Sequence, residues 1–476
     1  MGRADPILPI TKHKGKAGKA GRNESPSTPK LTPRKAIIAI FLSLLALSLL
    51  HQPVTHCYNR IPKYGQGQGL LSVEERARHI LASNPLIDGH VDFPVLLRWL
   101  YGNRINNENF TKPFEQGELP GHVDLKRLRA GQSGGAFWSL FAPCPANGSD
   151  FSDENYAASV QFTLNQIDVM TRVQQAYPND FSQHVDSSNA LEAFKQGKLI
   201  SPLGIEGLHQ IGNSVANLRR YHQLGTRYAT LTHNCHNKFA DAAILENPTR
   251  KAEPLWRGVS PLGRRVIHEM NRIGMIVDLS HVSEDTMLDV LGNNKDWAGS
   301  KAPIIFSHSS AFSICPHPRN VKDNVLQLVK ERNSVVMVNI APDFISCVAS
   351  DNKNGLPDFY PANSTLAHAA RHILHIGNLI GYDHVGVGTD FDGIMSVPEG
   401  LEDVSKYPDL VAELLRNGVS NEDAAKVVGG NVLRVWKDVD AVAAKLQADG
   451  ELPLEDDLPS LSVEALEEAG QLVKVN

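Results

Sequence analysis

The chain lacks an excess of positive charge outside its first 35 residues, and this argues against nucleic acid as a partner. Residues 1–35 contain nine Lys and Arg and two Asp and Glu, a local charge of +7. Since the 476 residues carry −5 in total, residues 36–476 carry −12. Binding to nucleic acid needs a basic face, so we expect no nucleic-acid partner. An apolar content of 42% and a charged content of 21% exclude a wholly disordered or fibrous protein.

Long apolar runs are also scarce, and the longest one covers only residues 36–50. The basic, Gly-, Ser- and Pro-rich residues 1–35 that precede it are typical of a disordered cytosolic tail. We therefore expect a single-pass type II membrane protein with a signal anchor at 36–50, a linker at 51–69 and a lumenal or extracellular body. Fifteen residues is short for a span of roughly 20, so secretion after signal cleavage is the alternative. No apolar run closes the C-terminus, and we expect no lipid anchor there.

Cysteine is rare, and the chain contains five: Cys57, Cys144, Cys235, Cys315 and Cys347. Cys57 lies close to the apolar run. The other four could form two disulfides in an oxidising compartment or could be four buried thiols, and their spacing does not decide between these alternatives. Three glycosylation acceptors agree with a translocated body, namely Asn109, Asn147 and Asn363.

From residue 70 onward, eight short β-rich runs alternate with longer helical patterns. The runs cover residues 86–92, 133–141, 199–207, 228–233, 275–281, 303–309, 334–341 and 384–390. Amphipathic segments between them include 213–224, 261–273, 284–291 and 364–380. This alternation predicts an α/β fold, a (β/α)8 TIM-like barrel over residues 70–440, with an acidic tail at 441–476.

Potential metal ligands or proton-transfer groups stand at six of the eight predicted strand ends. They are His90 with Asp92, Glu206, His233, His281, His308 and Asp390. The carboxyl ends of the strands in a parallel barrel meet at one face, where active sites lie. The sequence therefore predicts a binuclear metal site at this face.

The spacing of these residues suggests how two ions are shared. His90 and Asp92 point the same way in an extended strand and suit one Zn²⁺, although a strand-end hydrogen-bond pair is the alternative. Glu206 lies between small or apolar neighbours and could bridge two ions, or it could pair with a nearby Arg. His281 and His308 end neighbouring predicted strands, roughly 4.8 Å apart, and could reach a second ion; buried core histidines are the alternative.

The remaining polar residues suggest a metal-assisted hydrolysis. Asp390 is placed to take a proton from a metal-bound water, with Asp392 as a competing candidate. His233 could donate to a developing oxyanion. Arg319, after a Pro-rich loop, could hold a substrate carboxylate, or it could be a solvated arginine.

Eight short stretches also carry a family resemblance. They are 87–92 (IDGHVD), 204–207 (GIEG), 223–228 (QLGTRY), 231–235 (LTHNC), 277–281 (VDLSH), 306–310 (FSHSS), 388–393 (GTDFDG) and 400–409 (GLEDVSKYPD). In these stretches the chain resembles the membrane dipeptidases, also called renal dipeptidases, which are amidohydrolase-like zinc metallopeptidases. The resemblance covers about residues 70–439.

The resemblance implies that a metal-bridging water, or hydroxide, attacks the peptide carbonyl of small dipeptides with free ends. It implies two Zn²⁺ per chain, one bound by His90 and Asp92, the other by His281 and His308, with Glu206 between them. Asp390 would be the acid/base and contact the substrate amino group, whereas His233 and Arg319 would bind substrate. The disulfides would be Cys144–Cys235 and Cys315–Cys347.

The chain departs from the family at its ends. The animal members carry a C-terminal lipid anchor and an intersubunit cysteine near the C-terminus, whereas no cysteine follows Cys347 here. A possible homodimer would therefore be non-covalent or linked through Cys57. Alternative functions are hydrolysis of a lactam, an N-acyl amino acid or a Cys-Gly-type conjugate, and a metal-bearing binding module without catalysis.

Overall fold

The computed structural model describes residues 71–456. The chain divides into two units, residues 1–70 and 71–476, and the described residues all belong to the second. The predicted tail, anchor and linker, with Cys57, lie outside the described residues, as do residues 457–476 of the predicted acidic tail. Between residues 71 and 456, no helix is both long enough and apolar enough to cross a bilayer.

Eight parallel strands form one sheet, and four short strands form two antiparallel pairs. The strands are Leu86–Val91 (β1), Ser133–Ser139 (β2), Leu203–Glu206 (β3), Thr226–Thr230 (β4), Ile244–Leu245 (β5), Arg250–Lys251 (β6), Ile276–Asp278 (β7), Ile305–Phe306 (β8), Val335–Val338 (β9), Cys347–Val348 (β10), Asp358–Phe359 (β11) and Val385–Val387 (β12). The parallel sheet has the order β1-β2-β3-β4-β7-β8-β9-β12, while β5 pairs with β6 and β10 with β11.

The two edges of the parallel sheet approach each other. Val91 at the end of β1 forms a bridge with Phe391, and the Asp92 N–H donates to the Phe391 carbonyl at 2.8 Å. The sheet is therefore a nearly closed barrel, which confirms the predicted α/β fold of (β/α)8 type. Its strands are buried on both faces, as expected for a parallel sheet covered by helices.

Helices connect the strands and surround the sheet. They are Val73–Ser83 (α1), Phe93–Tyr101 (α2), Glu108–Gln116 (α3), Leu125–Ala130 (α4), Asp153–Ala176 (α5), Ala190–Lys195 (α6), Val215–Gln223 (α7), Pro261–Ile273 (α8), Glu284–Val290 (α9), Asp323–Glu331 (α10), Pro342–Ile345 (α11), Leu366–Ile380 (α12), Tyr407–Arg416 (α13), Asn421–Ala425 (α14) and Asn431–Ala448 (α15). Short 3₁₀ turns lie at Leu208–Ile211, Pro361–Asn363, Tyr382–His384 and Val404–Lys406, and a π turn at Lys426–Gly430 precedes α15.

Helix α8 shows how local sequence sets these bounds. The Ser260 side chain accepts from the Gly263 N–H at 3.0 Å, and Pro261 occupies the first turn, where its missing N–H costs nothing. Gly274 ends the helix in the left-handed region at φ +83°. Val266 and Met270, four residues apart, are buried. The helix has the predicted bounds of 261–273.

The last helix, α15, contributes to the barrel core. Its Trp436 is fully buried, with its ring 5.6 Å from the ring of Phe137 on β2. The helix continues through residue 440, where the sequence predicts that the barrel domain ends, and stops at Ala448.

Candidate metal centre and active site

The five predicted metal ligands lie together in the structure at the carboxyl end of the barrel. We call His90, Asp92, Glu206, His281 and His308 the ligand cluster. The Glu206 Oε1 atom is at its centre, 2.9 Å from the His281 Nε2 and 3.4 Å from the Nε2 atoms of His90 and His308. The His90 Nε2 is 3.1 Å from the Asp92 Oδ2. All five side chains are buried, so they form one compact set of nitrogen and oxygen donors.

The strands end earlier than the sequence predicts near four site residues. The observed last strand residues are Thr230, Asp278, Phe306 and Val387. His233, His281, His308 and Asp390 therefore lie in the loops that follow the strands. His281 and Asp390 have φ values of +66° and +67°, in the left-handed region that cannot continue a strand. Such strained residues are common where loops position functional groups.

Two buried aspartates that the sequence analysis did not select account for three of these four short strands, those that precede His281, His308 and Asp390. The Asp278 Oδ1 accepts from the backbone N–H groups of Ser280 at 3.1 Å and Ser307 at 2.7 Å. The Asp88 Oδ1 accepts from the backbone N–H of Thr389 at 2.9 Å. At these positions the backbone N–H groups therefore bond to a side-chain carboxylate instead of to a carbonyl group of the neighbouring strand. A sequence signal exists, because an aspartate inside an apolar strand requires buried hydrogen-bond partners.

Hydrogen bonds define which nitrogen of His281 and His308 carries the proton. The His281 Nδ1 lies 2.8 Å from the Asn234 Oδ1, which can only accept, so the Nδ1 is the donor. The Ser307 hydroxyl donates to the Asp278 Oδ2 at 2.6 Å and therefore accepts from the His308 Nδ1 at 2.8 Å. Both Nε2 atoms are consequently unprotonated, and their lone pairs face each other across 2.9 Å. A cation between them would remove this lone-pair repulsion.

The other side of the ligand cluster offers a second position for a cation. The His90 Nδ1 is 2.7 Å from the Tyr228 hydroxyl, which orients the ring so that its Nε2 faces Asp92 and Glu206. The Asp92 Oδ1 is buried and has no hydrogen-bond partner within residues 71–456. An unpaired buried carboxylate oxygen is costly, so a cation fits here as well. Imidazole and carboxylate donors in a closed site suit Zn²⁺.

The electrostatics of the site also favour bound cations. Burial raises the pKa of Glu206 to about 7 and that of Asp390 to about 8, although the neighbouring His90 opposes both shifts. Burial lowers the pKa values of His281 and His308 well below their usual range. The protein alone therefore disfavours charge on these groups, and cations would stabilise the carboxylates in their charged form.

The structure separates the two candidate bases, Asp390 and Asp392. The Asp390 Oδ2 accepts from the Asn339 Nδ2 at 3.0 Å, and its carboxylate lies with His90 and His308, within 4.8 Å of their ring nitrogens. Asp392 is tied to His122 instead: its Oδ1 accepts from the His122 N–H at 2.6 Å, and its own N–H donates to the His122 Nδ1 at 2.9 Å. Only Asp390 lines the cavity beside the ligand cluster.

His233 and Arg319 border the ligand cluster. The His233 Nε2 is 3.9 Å from the Glu206 Oε1. Arg319 is 2% exposed, so the alternative of a solvated arginine is wrong. Its Nε has no hydrogen-bond partner in the described part of the chain, and its guanidinium carbon lies 4.9 Å from the centre of the Phe344 ring. Burial lowers the pKa of this guanidinium to about 10 and the Asp390 carboxylate opposes the shift, so a substrate carboxylate could provide the hydrogen-bonded partner that the Nε lacks.

A cavity of about 380 Å³ opens above these groups. Its inner wall is polar and contains Asp92, Glu206, His233, His281, Arg319 and Asp390. Its outer part is formed by Trp99, Phe141, Glu246, Asp343, Phe344 and residues 393–396. The volume suits a small ligand.

Both disulfides are present, so the alternative of four free thiols is wrong. Cys144 bonds Cys235, and Cys315 bonds Cys347. The first lies beside the site, since the Cys144 Sγ is 3.7 Å from the His233 Nδ1. The second ties the loop before Arg319 to Cys347, the first residue of β10. The predicted glycosylation acceptors Asn109, Asn147 and Asn363 are all exposed, and their modification stays a prediction.

Comparisons with known proteins agree with this architecture. A family model described as membrane dipeptidase (peptidase family M19) matches residues 74–450. An uncharacterised dipeptidase of Schizosaccharomyces pombe is 44% identical over 410 residues, 85% of this chain and 90% of the yeast protein. Dipeptidase aclJ of Aspergillus oryzae is 45% identical over 381 residues, 80% of this chain and 83% of that protein. The solved structure of dipeptidase AC, a metallopeptidase of family M19, has a TM-score of 0.62 at 25% identity and covers 75% of this chain and 99% of its own.

Proposed function

Because this chain belongs to the membrane dipeptidase family, peptidase family M19, we propose that it is a zinc-dependent dipeptidase with two zinc ions. The family is one of metallopeptidases that act as dipeptidases. The single observation that carries the zinc proposal is the convergence of the ligand cluster on the Glu206 Oε1, with Nε2 lone pairs facing it.

The ligand cluster would hold the two ions through its imidazole nitrogens and carboxylate oxygens. His90 and Asp92 would bind one ion, His281 and His308 the other, and Glu206 both. When bound, zinc supplies the Lewis acidity that makes water a nucleophile at neutral pH and polarises a carbonyl.

Three further side chains would bind and position the dipeptide. The Arg319 guanidinium would pair with the free carboxylate, since it is buried and its Nε has no partner among the described residues. Asp390 would bind the free amino group and move the proton that the peptide nitrogen needs to leave. His233 would donate an N–H to the peptide oxygen as negative charge develops on it.

We also propose that the body is translocated and tethered through residues 36–50. The two disulfides support this proposal, because disulfides persist in oxidising compartments. Treating intact cells with a membrane-impermeant protease, with an epitope tag at each end, would test it. A translocated body leaves the C-terminal tag protected in sealed microsomes, whose cytosolic face is outward, so cleavage of that tag in sealed microsomes would contradict the proposal.

The activity is tested with the purified full-length chain. We expect about two zinc ions per chain, hydrolysis of simple L,L-dipeptides, loss of this activity on chelation and its recovery with zinc. N-acetylated and amidated dipeptides are the controls, because each lacks one of the two charged ends. Dipeptide hydrolysis that persists without metal would contradict the zinc proposal. Hydrolysis restricted to lactams, N-acyl amino acids or a Cys-Gly conjugate would favour the alternative reactions.

A further inference from the structure

Large apolar side chains stand uncovered at one side of the cavity mouth. Trp99 is 62% exposed and Met395 is 98% exposed, and both line the cavity together with Val95 and Ile394. We call these four residues the apolar rim. Exposed apolar side chains that continue into a cavity usually mark a binding surface.

The fold places the apolar rim directly above Asp92 and Asp390. Helix α2 begins immediately after Asp92, and Val95 and Trp99 lie one turn apart on the same face of it. Ile394 and Met395 follow Gly393, and a Cβ atom at Gly393 would collide with the carboxylates of both Asp92 and Asp390. The rim is thus held close to the end of the site where Asp390 lies.

The opposite side of the mouth has a different character. Glu246 lies after β4, and β4 and β12 are four strands apart in the ring of eight, so they face each other across the barrel. The Glu246 Oε1 accepts from the Asn234 Nδ2 at 2.9 Å and lies 3.5 Å from the His233 Nδ1. This side therefore carries polar groups together with Phe141, whose ring centre is 5.0 Å from that of His233, whereas the highly exposed Trp99 and Met395 lie on the side of β12 and β1.

We propose that the apolar rim binds the side chain of the amino-terminal residue of the dipeptide and selects large apolar residues there. The inference rests on the proposed function, in which Asp390 binds the amino group and Arg319 the carboxylate. The amino-terminal residue then lies beside Asp390, whose carboxylate is next to Gly393, so its side chain can reach Ile394, Met395 and Trp99. The carboxy-terminal residue lies towards Arg319, which follows β8 and has Phe344 beside it.

The test compares kcat/KM for Phe-Gly, Ala-Gly, Gly-Phe and Gly-Ala in the full-length zinc enzyme. The wild type should prefer Phe-Gly to Ala-Gly by roughly tenfold, since a well-matched apolar pocket discriminates on this scale. Trp99→Ala and Met395→Ala should each reduce this preference severalfold. Neither should change the ratio of Gly-Phe to Gly-Ala. Leu100→Ala is the matched control, because Leu100 is 46% exposed on the same helix but does not line the cavity.

Four outcomes would overturn the inference. An unchanged Phe-Gly to Ala-Gly ratio in both rim variants would show that the rim does not contact the substrate. An equal loss on all four dipeptides, or the same change in Leu100→Ala, would indicate a general structural effect. A change confined to the Gly-Phe to Gly-Ala ratio would assign the rim to the other residue. A wild type that hydrolyses none of the four would instead contradict the proposed function itself, and this inference with it.

Discussion

The ligand cluster and the apolar rim lie in the same cavity but are built in different ways. Each histidine of the ligand cluster is buried, and its Nδ1 contacts Tyr228, Asn234 or Ser307. The rim side chains Trp99 and Met395 are mostly exposed. The difference teaches that the groups proposed for the chemistry are fixed by a network of buried polar contacts, whereas the exposed rim residues Trp99 and Met395 can be exchanged at little cost to the fold.

The buried network holds together the strand ends that carry the ligand cluster. Asp278 links β7 and β8 through Ser307, and Asp88 links β1 and β12 through Thr389. Each carboxylate is fully buried and would be costly without these partners. A change inside the network is therefore expected to disturb several strand ends at once.

The largest effect is expected for Glu206→Gln, which tests whether the ligand cluster carries the chemistry. The substitution keeps the side-chain shape but removes the charge at the centre of the ligand cluster. We expect zinc content to fall and kcat/KM to drop by more than the roughly 100-fold that marks the upper range for a supporting residue. Zinc analysis and initial rates on Ala-Gly measure both effects. Wild-type zinc content together with wild-type rate would exclude Glu206 as a bridging ligand.

A smaller effect is expected for Asp278→Asn, which changes a support of the cluster rather than a ligand. The amide would present N–H donors where hydroxyl groups now donate, which would disturb the Ser307 bond to His308. We expect a loss of roughly 10- to 100-fold in kcat/KM and weaker zinc retention during dialysis. Asp392→Asn is the matched control, because Asp392 is also buried but contacts His122. Equal effects of the two variants would argue against a specific supporting role of Asp278.

A substitution at the mouth of the cavity should change the activity less than one in the ligand cluster or its support. Glu246→Gln tests this expectation. Gln retains an acceptor for Asn234 but removes a charge from a side chain that is 36% exposed. A single screened charge contributes roughly 0.2–1 kcal/mol, so we expect kcat/KM for Gly-Lys relative to Gly-Leu to fall by about two- to threefold. The difference should shrink in 0.5 M salt. A loss comparable to that of Glu206→Gln on every dipeptide would place Glu246 among the essential groups.

The last prediction concerns stability rather than activity and lies outside the site, at the buried residue His372. Its Nδ1 accepts from the Ala311 N–H and its Nε2 donates to the Ile345 carbonyl, and burial lowers its pKa to about 3. The unfolded chain binds a proton at this position below about pH 6.5, but the folded chain does not, so stability falls as the pH drops from 6.5 towards 3. Between pH 7 and 5.5 this single group should cost about 1 kcal/mol of unfolding free energy.

Urea unfolding of wild type, His372→Gln and the exposed control His79→Gln at these two pH values measures this contribution. We expect His372→Gln to lose less stability on acidification than the other two proteins. The same loss in all three would show that His372 does not contribute.

Much of the site could be predicted from the sequence, because the hydrophobic pattern indicates the barrel strands and the position of a polar residue in a strand indicates whether it lies at the active-site face. Short β-rich runs that alternate with helices predicted the barrel, and polar residues at strand ends predicted that His90, Glu206 and His308 would meet. The pairings Cys144–Cys235 and Cys315–Cys347 followed from the family resemblance, since spacing left them open. The strand ends themselves were placed too late, because the partners that end the strands, Asp88 and Asp278, accept hydrogen bonds from neighbouring strands that are far away in the sequence.

The sequence by itself determined the fold class, the identity of the candidate ligands and the presence of an apolar run at residues 36–50, because these depend on residue type and local order. Only the tertiary structure decided which of Asp390 and Asp392 faces the cavity, which nitrogen of His308 is available, and where Trp99 and Met395 stand. These depend on contacts between residues far apart in the chain, such as Asp390 with Asn339 and Asp392 with His122. Local sequence patterns do not indicate such contacts, because the contacts arise only when the eight strands close into a ring.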